Sequence, residues 1–334
     1  MAKFVVKLLK TTHRRCRMKD VLIVDIGYGD TKYLYLDEEG SVRKGKIPTA
    51  VVRLGKEKIE GKFDALATIS KELVYNGTRY VVGEEALKEG IPLSTRRKDF
   101  IPTYAPLIIA KIFQRENLKG KSKVVVSVAI SDYTREHKEK IVQNLSRFMV
   151  NGNLFEFDVA VLPQGCGIYW DVFPEGNEGT VVVADIGFNT IDISVFENGR
   201  PIKEKLRGLP GYGTNRIIQN LAEKVSEEVG EPVSELEINR AVQSGGKLKV
   251  YNREIPIADW FEEEKEVYAE EIIAMIETGP VGKLWRHAEA RIIAGGGGYF
   301  IPEQIRKEKD VIVPEEPEFS NVRGFFNYFE RGEK

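Results

Sequence analysis

The chain has 334 residues, of which 42% are hydrophobic and 30% charged, as in a globular protein large enough for two domains. Its formal net charge of −1 at pH 7 predicts no general affinity for nucleic acid. Two cysteines exclude a disulfide framework and favour a cytoplasmic location, and no apolar run reaches the roughly 18 residues of a membrane span. We therefore expect neither membrane association nor direct contact with nucleic acid.

The first twenty residues differ from the rest of the chain in charge. They hold seven basic residues and one acidic residue, a net charge of +6, so the remainder carries −7. We interpret residues 1–17 as a basic N-terminal extension, either a disordered arm or an addition ahead of a start at Met18. The alternative is a short membrane-surface helix with lysines on the opposite face. The apolar face of that helix would hold Phe4, Val5, Leu8 and Leu9.

The first half of the sequence predicts strands that alternate with helices. Val21–Val24 is apolar on both strand faces, as in a sheet that is covered on both sides. Residues 45–100 predict short strands, followed by a loop region that contains Pro92, Pro102 and Pro106. The later elements are predicted as a strand at Lys123–Ile130, a helix at Thr134–Val150 with Ile141, Leu145, Phe148 and Met149 on one face, a strand at Phe155–Leu162 and a helix at Cys166–Phe173.

The second half follows the same order after a predicted loop at Pro174–Gly179. A Gly-rich turn at Gly208–Gly213 opens a predicted helix from Asn215 to Val229, which Gly230 ends. This alternation predicts an α/β protein with mixed sheets. The later elements are predicted as a helix at Trp260–Glu277, a strand at Arg291–Ala294, a four-glycine run at Gly295–Gly298 and a helix that begins at Pro302.

One strand–turn–strand segment occurs twice, 160 residues apart. Val21–Leu36 reads VLIVDIGYGDTKYLYL, and Val181–Phe196 reads VVVADIGFNTIDISVF. Each copy has an apolar run, then Asp-Ile-Gly, an aromatic residue and an alternating strand. A repeat at this distance is too long for a solenoid unit, so it predicts two similar domains that face each other.

The two turns suit a polyphosphate, because glycines let backbone N–H groups approach an anion closely. Asp25 and Asp185 would then hold Mg²⁺, largely through its water ligands, and Lys32 would supply positive charge. The alternative is a pair of ordinary β-hairpins with Asp-Gly turns. The expected phosphate-binding residues are Gly27, Tyr28 and Gly29 in the first turn and Gly187, Phe188, Asn189 and Thr190 in the second.

Other common sites are not predicted. Gly120-Lys121-Ser122 resembles the end of a P-loop, but Arg115 stands where the first glycine is required. The three histidines are far apart and show no ligand spacing. We expect Cys166 to be a buried small side chain.

Five motifs in this order resemble the actin, heat-shock chaperone and sugar kinase superfamily, and most closely its ParM-type and archaeal actin-like members. The resemblance runs from about Val21 to the C-terminus, and Tyr28 stands where the family commonly has Ser or Thr. The motifs are the first phosphate motif at Asp25–Lys32, the first connecting motif at Pro163–Gly165, the second phosphate motif at Asp185–Ser194, the adenosine motif at Ala294–Gly298 and the second connecting helix at Asn321–Phe325.

The resemblance implies two similar domains, with four subdomains, around a central nucleotide cleft. Domain I would comprise residues 18–173 with the C-terminal helix 319–334, and domain II residues 174–318. ATP is the implied nucleotide, with GTP as an alternative, and Mg²⁺ the implied metal. Gln164 would orient the attacking water, and Asp185 would order the waters of the metal. The adenine slot would be formed by Gly295, Gly296, Gly297 and Gly298.

The first function hypothesis is a cytoplasmic ATPase that polymerises head-to-tail into filaments. It would segregate plasmid DNA through a DNA-binding adaptor protein, or serve as a prokaryotic cytoskeleton. The alternative is a small-molecule kinase or polyphosphate phosphatase, because a fold alone does not decide function. A sugar kinase usually has a longer chain, and a chaperone needs a peptide-binding domain where only about 36 residues follow Gly298.

Overall fold

The computed structural model describes residues 18–54 and 71–332. The chain divides into two compact units, which we call unit 1 (residues up to 174, with the C-terminal residues from 321) and unit 2 (residues 175–320). The predicted basic extension at 1–17 lies outside the described residues, as does part of the predicted short-strand region, 55–70.

Within residues 18–54 and 71–174, unit 1 contains ten strands and four α-helices. The strands are β1 (Val21–Ile26), β2 (Asp30–Leu36), β3 (Val42–Pro48), β4 (Val51–Arg53), β5 (Glu72–Tyr75), β6 (Thr78–Val82), β7 (Lys123–Val128), β8 (Arg147–Val150), β9 (Asn153–Glu156) and β10 (Asp158–Pro163). The helices are α1 (Ala86–Glu89), α2 (Phe100–Glu116), α3 (Arg135–Ser146) and α4 (Cys166–Val172).

The main sheet of unit 1 has the strand order β10-β7-β1-β2-β3. Strand β1 pairs parallel with β7 and antiparallel with β2, and β7 pairs parallel with β10. All six residues of β1 are buried, which confirms the prediction of a strand covered on both faces. The parallel strands β1, β7 and β10 therefore end at one edge of the sheet.

Helix α2 corrects the predicted loop region, because Pro102 and Pro106 both lie within it. A proline in the first turn of a helix loses no hydrogen bond, but Pro106 cannot donate to the carbonyl of Pro102 four residues earlier. The side-chain amide of Asn144 donates to that carbonyl instead, at 2.7 Å. The helix is buried almost all round, so its sequence lacks the polar face by which helices are usually predicted.

The predicted helix at Thr134–Val150 is too long. Thr134 caps α3, which ends at Ser146, and residues 147–150 form strand β8 of a hairpin with β9. Phe148 is buried, whereas Met149 is 56% exposed, so the two do not share a face as predicted. The hairpin turn is Asn151-Gly152, with both residues at positive φ, and Asn-Gly is the preferred sequence for such a turn.

Unit 2 contains eight strands and five α-helices. The strands are β11 (Thr180–Ile186), β12 (Thr190–Glu197), β13 (Arg200–Pro201), β14 (Arg207–Pro210), β15 (Lys247–Val250), β16 (Arg253–Pro256), β17 (Ala290–Ala294) and β18 (Val311–Ile312). The helices are α5 (Asn215–Val229), α6 (Glu235–Gln243), α7 (Ala258–Thr278), α8 (Gly282–His287) and α9 (Glu303–Glu308).

The main sheet of unit 2 repeats the topology of the main sheet of unit 1. Its order is β13-β12-β11-β17-β18, with β14 also paired to β12. Strand β11 pairs antiparallel with β12 and parallel with β17, and β17 pairs parallel with β18. Thus β11, β12, β17 and β18 correspond to β1, β2, β7 and β10. The repeated sequence segment occupies the same two central strands in both units.

The chain ends in helix α10 (Ser320–Gly332), which packs on α4 in unit 1. A side chain on Gly324 would meet the carbonyl oxygen of Gly167, so the two helices cross where both have glycine. Arg323 forms a two-pronged ion pair with Asp171, at 3.0 and 2.7 Å. Among residues 18–54 and 71–332, no helix is long and apolar enough to span a membrane.

Candidate nucleotide-binding site

Asp25 lies where the three parallel strands of unit 1 end. It is the second-last residue of β1, its neighbour on β7 is Ser127, and Gln164 directly follows β10. The carboxylate oxygen Oδ1 accepts hydrogen bonds from Ser127 Oγ at 2.5 Å and from Gln164 Nε2 at 2.8 Å. Asp25 and Gln164 are 4% and 7% exposed. Two bonds to one oxygen fix the orientation of the carboxylate.

The other oxygen of Asp25, Oδ2, is suited to a cation. It has no hydrogen-bond partner among residues 18–54 and 71–332, and Asp25 forms no ion pair with any lysine or arginine in those ranges. A buried carboxylate without a charged partner is costly, whereas a divalent cation would offset that cost. The described residues contain no group of three or more His, Cys, Asp or Glu side chains that could hold a metal. Mg²⁺ is a cation that commonly uses one or two carboxylates and keeps several water ligands, so Asp25 Oδ2 could serve as one of its partners.

The first predicted phosphate turn, Gly27–Gly29, connects β1 to β2. The N–H of Gly27 donates to the Asp30 carbonyl at 3.2 Å, and a side chain on Gly27 would lie 2.8 Å from that oxygen. The carbonyl of Gly29 accepts from the Thr49 N–H at 2.8 Å. The turn therefore requires glycine at 27 for close approach of its own backbone.

Lys32 lies directly opposite Asp25 in the β1–β2 register. Its side chain is half-buried and forms no ion pair with the carboxylates of the described residues. Its Nζ atom would be 3.5 Å from a side chain on Gly27, so the ammonium group lies beside the turn. That position fits the predicted positive charge next to a phosphate.

The two connecting motifs meet in unit 1. Gly165 has a φ of +84°, and its N–H donates to Asn321 Oδ1 at 2.9 Å. The backbone N–H of Gln164 donates to the carbonyl of Val128 at 2.9 Å. Gln164 is therefore held by its own backbone and by the anchored glycine that follows it.

The second predicted phosphate turn, Gly187–Asn189, connects β11 to β12 in unit 2. Its carbonyls accept three backbone hydrogen bonds from the residues before and at the start of α5. The donors are Thr214 to Gly187 at 3.0 Å, Asn215 to Phe188 at 2.8 Å and Gly211 to Asn189 at 2.8 Å. A further bond of 2.9 Å joins the Gly187 N–H to the carbonyl of Thr190. The predicted Gly-rich turn at 208–213 thus buttresses the phosphate turn, although residues 207–210 also form strand β14.

The glycine run Gly295–Gly298 follows β17 and packs on the end of β11. Gly295 has a φ of +75°, and a side chain there would lie 2.3 Å from Asp185 Oδ1 and 2.5 Å from the Ile186 carbonyl oxygen. A side chain on Gly297 would lie 2.1 Å from the side chain of Ile186. Gly296 is open, with nothing within 4 Å. Asp185 itself is 7% exposed. The glycine run therefore lets its backbone approach the buried Asp185 closely, and it leaves space beside Gly296.

Cys166 is buried, as predicted, at the start of α4. Burial raises the pKa of its thiol to about 12. Burial keeps the thiol protonated at neutral pH, which disfavours a role for Cys166 as a nucleophile.

Two family models match successive parts of the chain. The model described as the N-terminal domain of actin-like proteins matches residues 24–167. The model described as the C-terminal part of the archaeal actin homologue MreB-like family matches residues 183–307. Between them they contain both phosphate turns, Gln164 and the glycine run.

The chain belongs to the actin-like proteins. No curated protein sequence matches it significantly. The fold prediction, a two-domain α/β protein of the actin-like type, is confirmed, and so is the similarity to ParM and archaeal actin homologues.

Solved structures of other actin-like proteins have the same fold as this actin-like chain at low sequence identity. Ta0583, an archaeal actin homologue, is 20% identical, with 93% of this chain and 99% of that chain covered and a TM-score of 0.73. Its complex with ADP gives the same identity and coverage and a TM-score of 0.71. A 15-stranded ParM filament from Clostridium botulinum is 17% identical, with 94% and 100% covered and a TM-score of 0.70.

The predicted site residues of this actin-like protein fall into two groups. Unit 1 brings together Asp25, Gln164, Lys32 and the first turn, whereas unit 2 brings together Asp185, the second turn and the glycine run. The predicted pairing of Asp25 with Asp185 joins residues of different units and stays a prediction.

Sequence reasoning missed Ser127 and Asp132, two residues that bind the predicted site residues. Ser127 is a polar residue within the buried strand Lys123–Val128. Because buried polar groups need a hydrogen-bond partner, such a residue indicates a polar neighbour and could have been recognised from the sequence. Asp132 hydrogen-bonds Tyr28 but lies outside all five motifs, so no pattern pointed to it.

Proposed function

We propose that this actin-like protein binds and hydrolyses ATP with Mg²⁺ and polymerises into filaments. The observation that carries the proposal is the repeated Asp-Ile-Gly hairpin, which occupies equivalent central strands in both units. In each copy a buried aspartate is followed by a turn whose backbone is held in place by hydrogen bonds. Two preorganised turns of this kind suit the two sides of a polyphosphate.

The units are proposed to act as the two actin-like domains, 18–173 with 319–334 and 174–318, and each contributes one phosphate turn. Support comes from the structures of Ta0583 in complex with ADP and of Bacillus thuringiensis ParM with ATP, both similar to this chain in fold. The adenine would lie against the glycine run, where Gly296 is open. The remaining proposed contacts are Gly27, Tyr28, Gly29, Lys32, Gly187, Phe188, Asn189 and Thr190.

Hydrolysis would depend on positioning more than on covalent chemistry. Mg²⁺, when bound, would neutralise phosphate charge, with Asp25 and Asp185 as its carboxylate partners. The side-chain oxygen of Gln164 is left to accept from a water molecule, because its Nε2 already donates to Asp25. Gln164 would thereby orient the attacking water, and Asp185 would accept its proton.

The division of charge between the units supports head-to-tail association. Residues 175–320 hold 17 basic and 28 acidic side chains, a net −11. Residues 18–174 with 321–334 hold 27 basic and 23 acidic side chains, a net +4, and residues 1–17 add +6. Contacts between like units would place like charges together, whereas unit 1 against unit 2 of the next copy is attractive. Contacts between unlike surfaces generate an open polymer when the rotation does not close.

We further propose that the filaments segregate DNA. The chain after residue 20 carries −7, so DNA would be reached through a separate basic adaptor protein. The resemblance of the sequence motifs to ParM-type proteins motivates this role, and a ParM filament from Clostridium botulinum shares the fold.

The test compares this function with the alternative, a small-molecule kinase or polyphosphate phosphatase. Phosphate release, sedimentation and phosphorylation of a panel of sugars are measured in the same Mg-ATP reaction. We expect phosphate release and sedimentation without a phosphorylated sugar, and less sedimentation as NaCl rises from 50 to 500 mM, because salt screens the attraction between units. Phosphate transfer to a sugar by a protein that stays monomeric would favour the kinase.

A further inference from the structure

A side-chain hydrogen bond connects the middle residue of the first phosphate turn, Tyr28, to a segment far along the chain. The hydroxyl of Tyr28 donates to Asp132 Oδ2 at 2.7 Å, across 104 residues of the chain. Both groups are partly buried, and the Asp132 side chain is 18% exposed. A neutral donor on a carboxylate forms one of the stronger hydrogen bonds in proteins.

The position of Asp132 explains how it reaches the turn. Asp132 ends a 3-10 helix, Ile130–Asp132, that follows β7, and β7 is the parallel neighbour of β1. The equivalent segment of unit 2 is the glycine run that follows β17. The segment after β7 therefore borders the first turn as the glycine run borders Asp185, but it carries a carboxylate in place of bare backbone.

The segment that presents Asp132 is itself held in place. The N–H of Asp132 donates to the carbonyl of Ala129 at 2.9 Å, and that of Thr134 donates to the carbonyl of Asp132 at 2.8 Å. The His137 Nδ1 atom lies 3.1 Å from the same carbonyl, within hydrogen-bonding distance. Thr134 then caps α3 through the His137 N–H at 3.2 Å. The carboxylate is thus presented by an anchored turn at the beginning of a 12-residue helix.

The two phosphate turns differ in how they are braced. Three backbone hydrogen bonds from residues 211–215 hold the carbonyls of the second turn. In the first turn, one carbonyl accepts such a backbone bond from the residues that the structure describes, that of Gly29 from the Thr49 N–H. The aromatic residue of the second turn is Phe188, which has no hydroxyl, whereas that of the first is Tyr28. The Tyr28–Asp132 bond therefore supplies support that the second turn obtains from its backbone.

We infer that Asp132 is a positioning residue of the nucleotide site, which acts through Tyr28 to hold the N–H groups of the first phosphate turn in place. The inference rests on the proposed function for its ligand, a nucleoside triphosphate. It also gives Tyr28 a role other than direct contact with a terminal phosphate: its hydroxyl proton is committed to Asp132, and the backbone of the turn provides the donors. Preorganised donors of this kind stabilise a phosphate without reorganisation on binding.

Amide hydrogen exchange of residues 27–29 in nucleotide-free protein tests the brace itself. Tyr28→Phe and Asp132→Ala should each speed exchange by about tenfold, the effect of losing one strong hydrogen bond. Asp132→Asn keeps an acceptor oxygen and should restore most of the protection. Tyr133→Phe is the matched control, because it removes a hydroxyl from the same segment without breaking the bond to Tyr28. Unchanged exchange in both Tyr28→Phe and Asp132→Ala would overturn the inference.

Calorimetric binding of Mg-ATP to the same variants tests the role of the brace. Tyr28→Phe and Asp132→Ala should each weaken binding about three- to tenfold, and the double variant should be no weaker than either single one, because both remove the same bond. Additive losses would show that Asp132 does not act through Tyr28. Full-strength binding by both single variants would overturn this inference alone. A wild-type protein that binds no nucleotide would overturn the proposed function along with it.

Discussion

The side-chain amide of Gln164 donates a 2.8 Å hydrogen bond to Oδ1 of Asp25, a residue 139 positions earlier in the chain. The bond connects the first connecting motif to the first phosphate motif. The bond fixes the orientation of the amide, and its oxygen accepts no hydrogen bond from residues 18–54 and 71–332. Asp25, which is proposed to hold the metal, therefore orients Gln164, which is proposed to orient the attacking water.

Replacement of Gln164 tests the proposed orientation of water. Gln164→Ala should slow phosphate release by about 10–1,000-fold, the range for loss of one positioning contact, while nucleotide binding survives. Gln304→Ala is the matched control, since the Gln304 amide bonds its helix neighbour Glu308 on an exposed surface. Steady-state phosphate release and calorimetry measure the two effects. A wild-type hydrolysis rate in Gln164→Ala would show that the assignment is wrong.

Replacement of Asp25 tests its role as a metal partner. Asp25→Asn removes the charge but keeps an acceptor for Ser127 and Gln164, so it should weaken Mg-ATP binding by about 10–100-fold and leave metal-free ATP binding largely intact. Asp30→Asn in the same hairpin is the control. Calorimetry with and without Mg²⁺ measures the difference. Equal weakening in both conditions would point to a structural role for Asp25.

The sequence predicted the central strands and the polar residues at their ends, because both depend on short segments. An apolar run followed by Asp-Ile-Gly indicates a buried strand and a tight turn without knowledge of the rest of the chain. The bonds that orient these residues were beyond sequence reasoning. Ser127 and Asp132 contact Asp25 and Tyr28 only because β7 pairs with β1, and strand order is a property of the whole sheet.

The errors in the predicted elements also have local causes. Pro102 and Pro106 indicated a loop, but the bond from Asn144 replaces the one that Pro106 cannot make. The apolar spacing of Phe148 suits a helix as well as a strand, and the Asn151-Gly152 turn decides in favour of the strand. In the first case, tertiary contacts stabilise a helix in spite of the low helix propensity of proline. In the second, the preference of Asn-Gly for a hairpin turn outweighs a spacing that also suits a helix.

The hydrogen bond from Asn144 to the Pro102 carbonyl of helix α2 can be tested by measuring protein stability. Asn144→Ala should lower the free energy of unfolding by about 1–3 kcal/mol, because it leaves the buried Pro102 carbonyl without a donor. In a Pro106→Ala background the helix can supply its own N–H, so the same substitution should cost clearly less. Urea unfolding of the four proteins gives the coupling. Equal costs in both backgrounds would contradict this account of the proline helix.

The glycine run provides a matched pair of substitutions. Gly295→Ala should lower the free energy of unfolding by about 1–3 kcal/mol, because φ is positive and the side chain would meet Asp185 and the Ile186 carbonyl. Gly296→Ala should change it by no more than about 0.5 kcal/mol, because nothing lies within 4 Å. Urea unfolding distinguishes them. Equal stability of the two variants would contradict the close approach of the run to β11.

Nucleotide-dependent assembly is the most direct test of the central claim, and one sedimentation experiment measures it. The protein at tens of micromolar is centrifuged with Mg-ATP, a non-hydrolysable ATP analogue, Mg-ADP or no nucleotide, and the pellets are viewed by electron microscopy. We predict filaments with Mg-ATP and the analogue and fewer with ADP, since both Asp-Ile-Gly turns are proposed to hold the terminal phosphate that hydrolysis removes. A protein that stays monomeric under all four conditions would contradict the account.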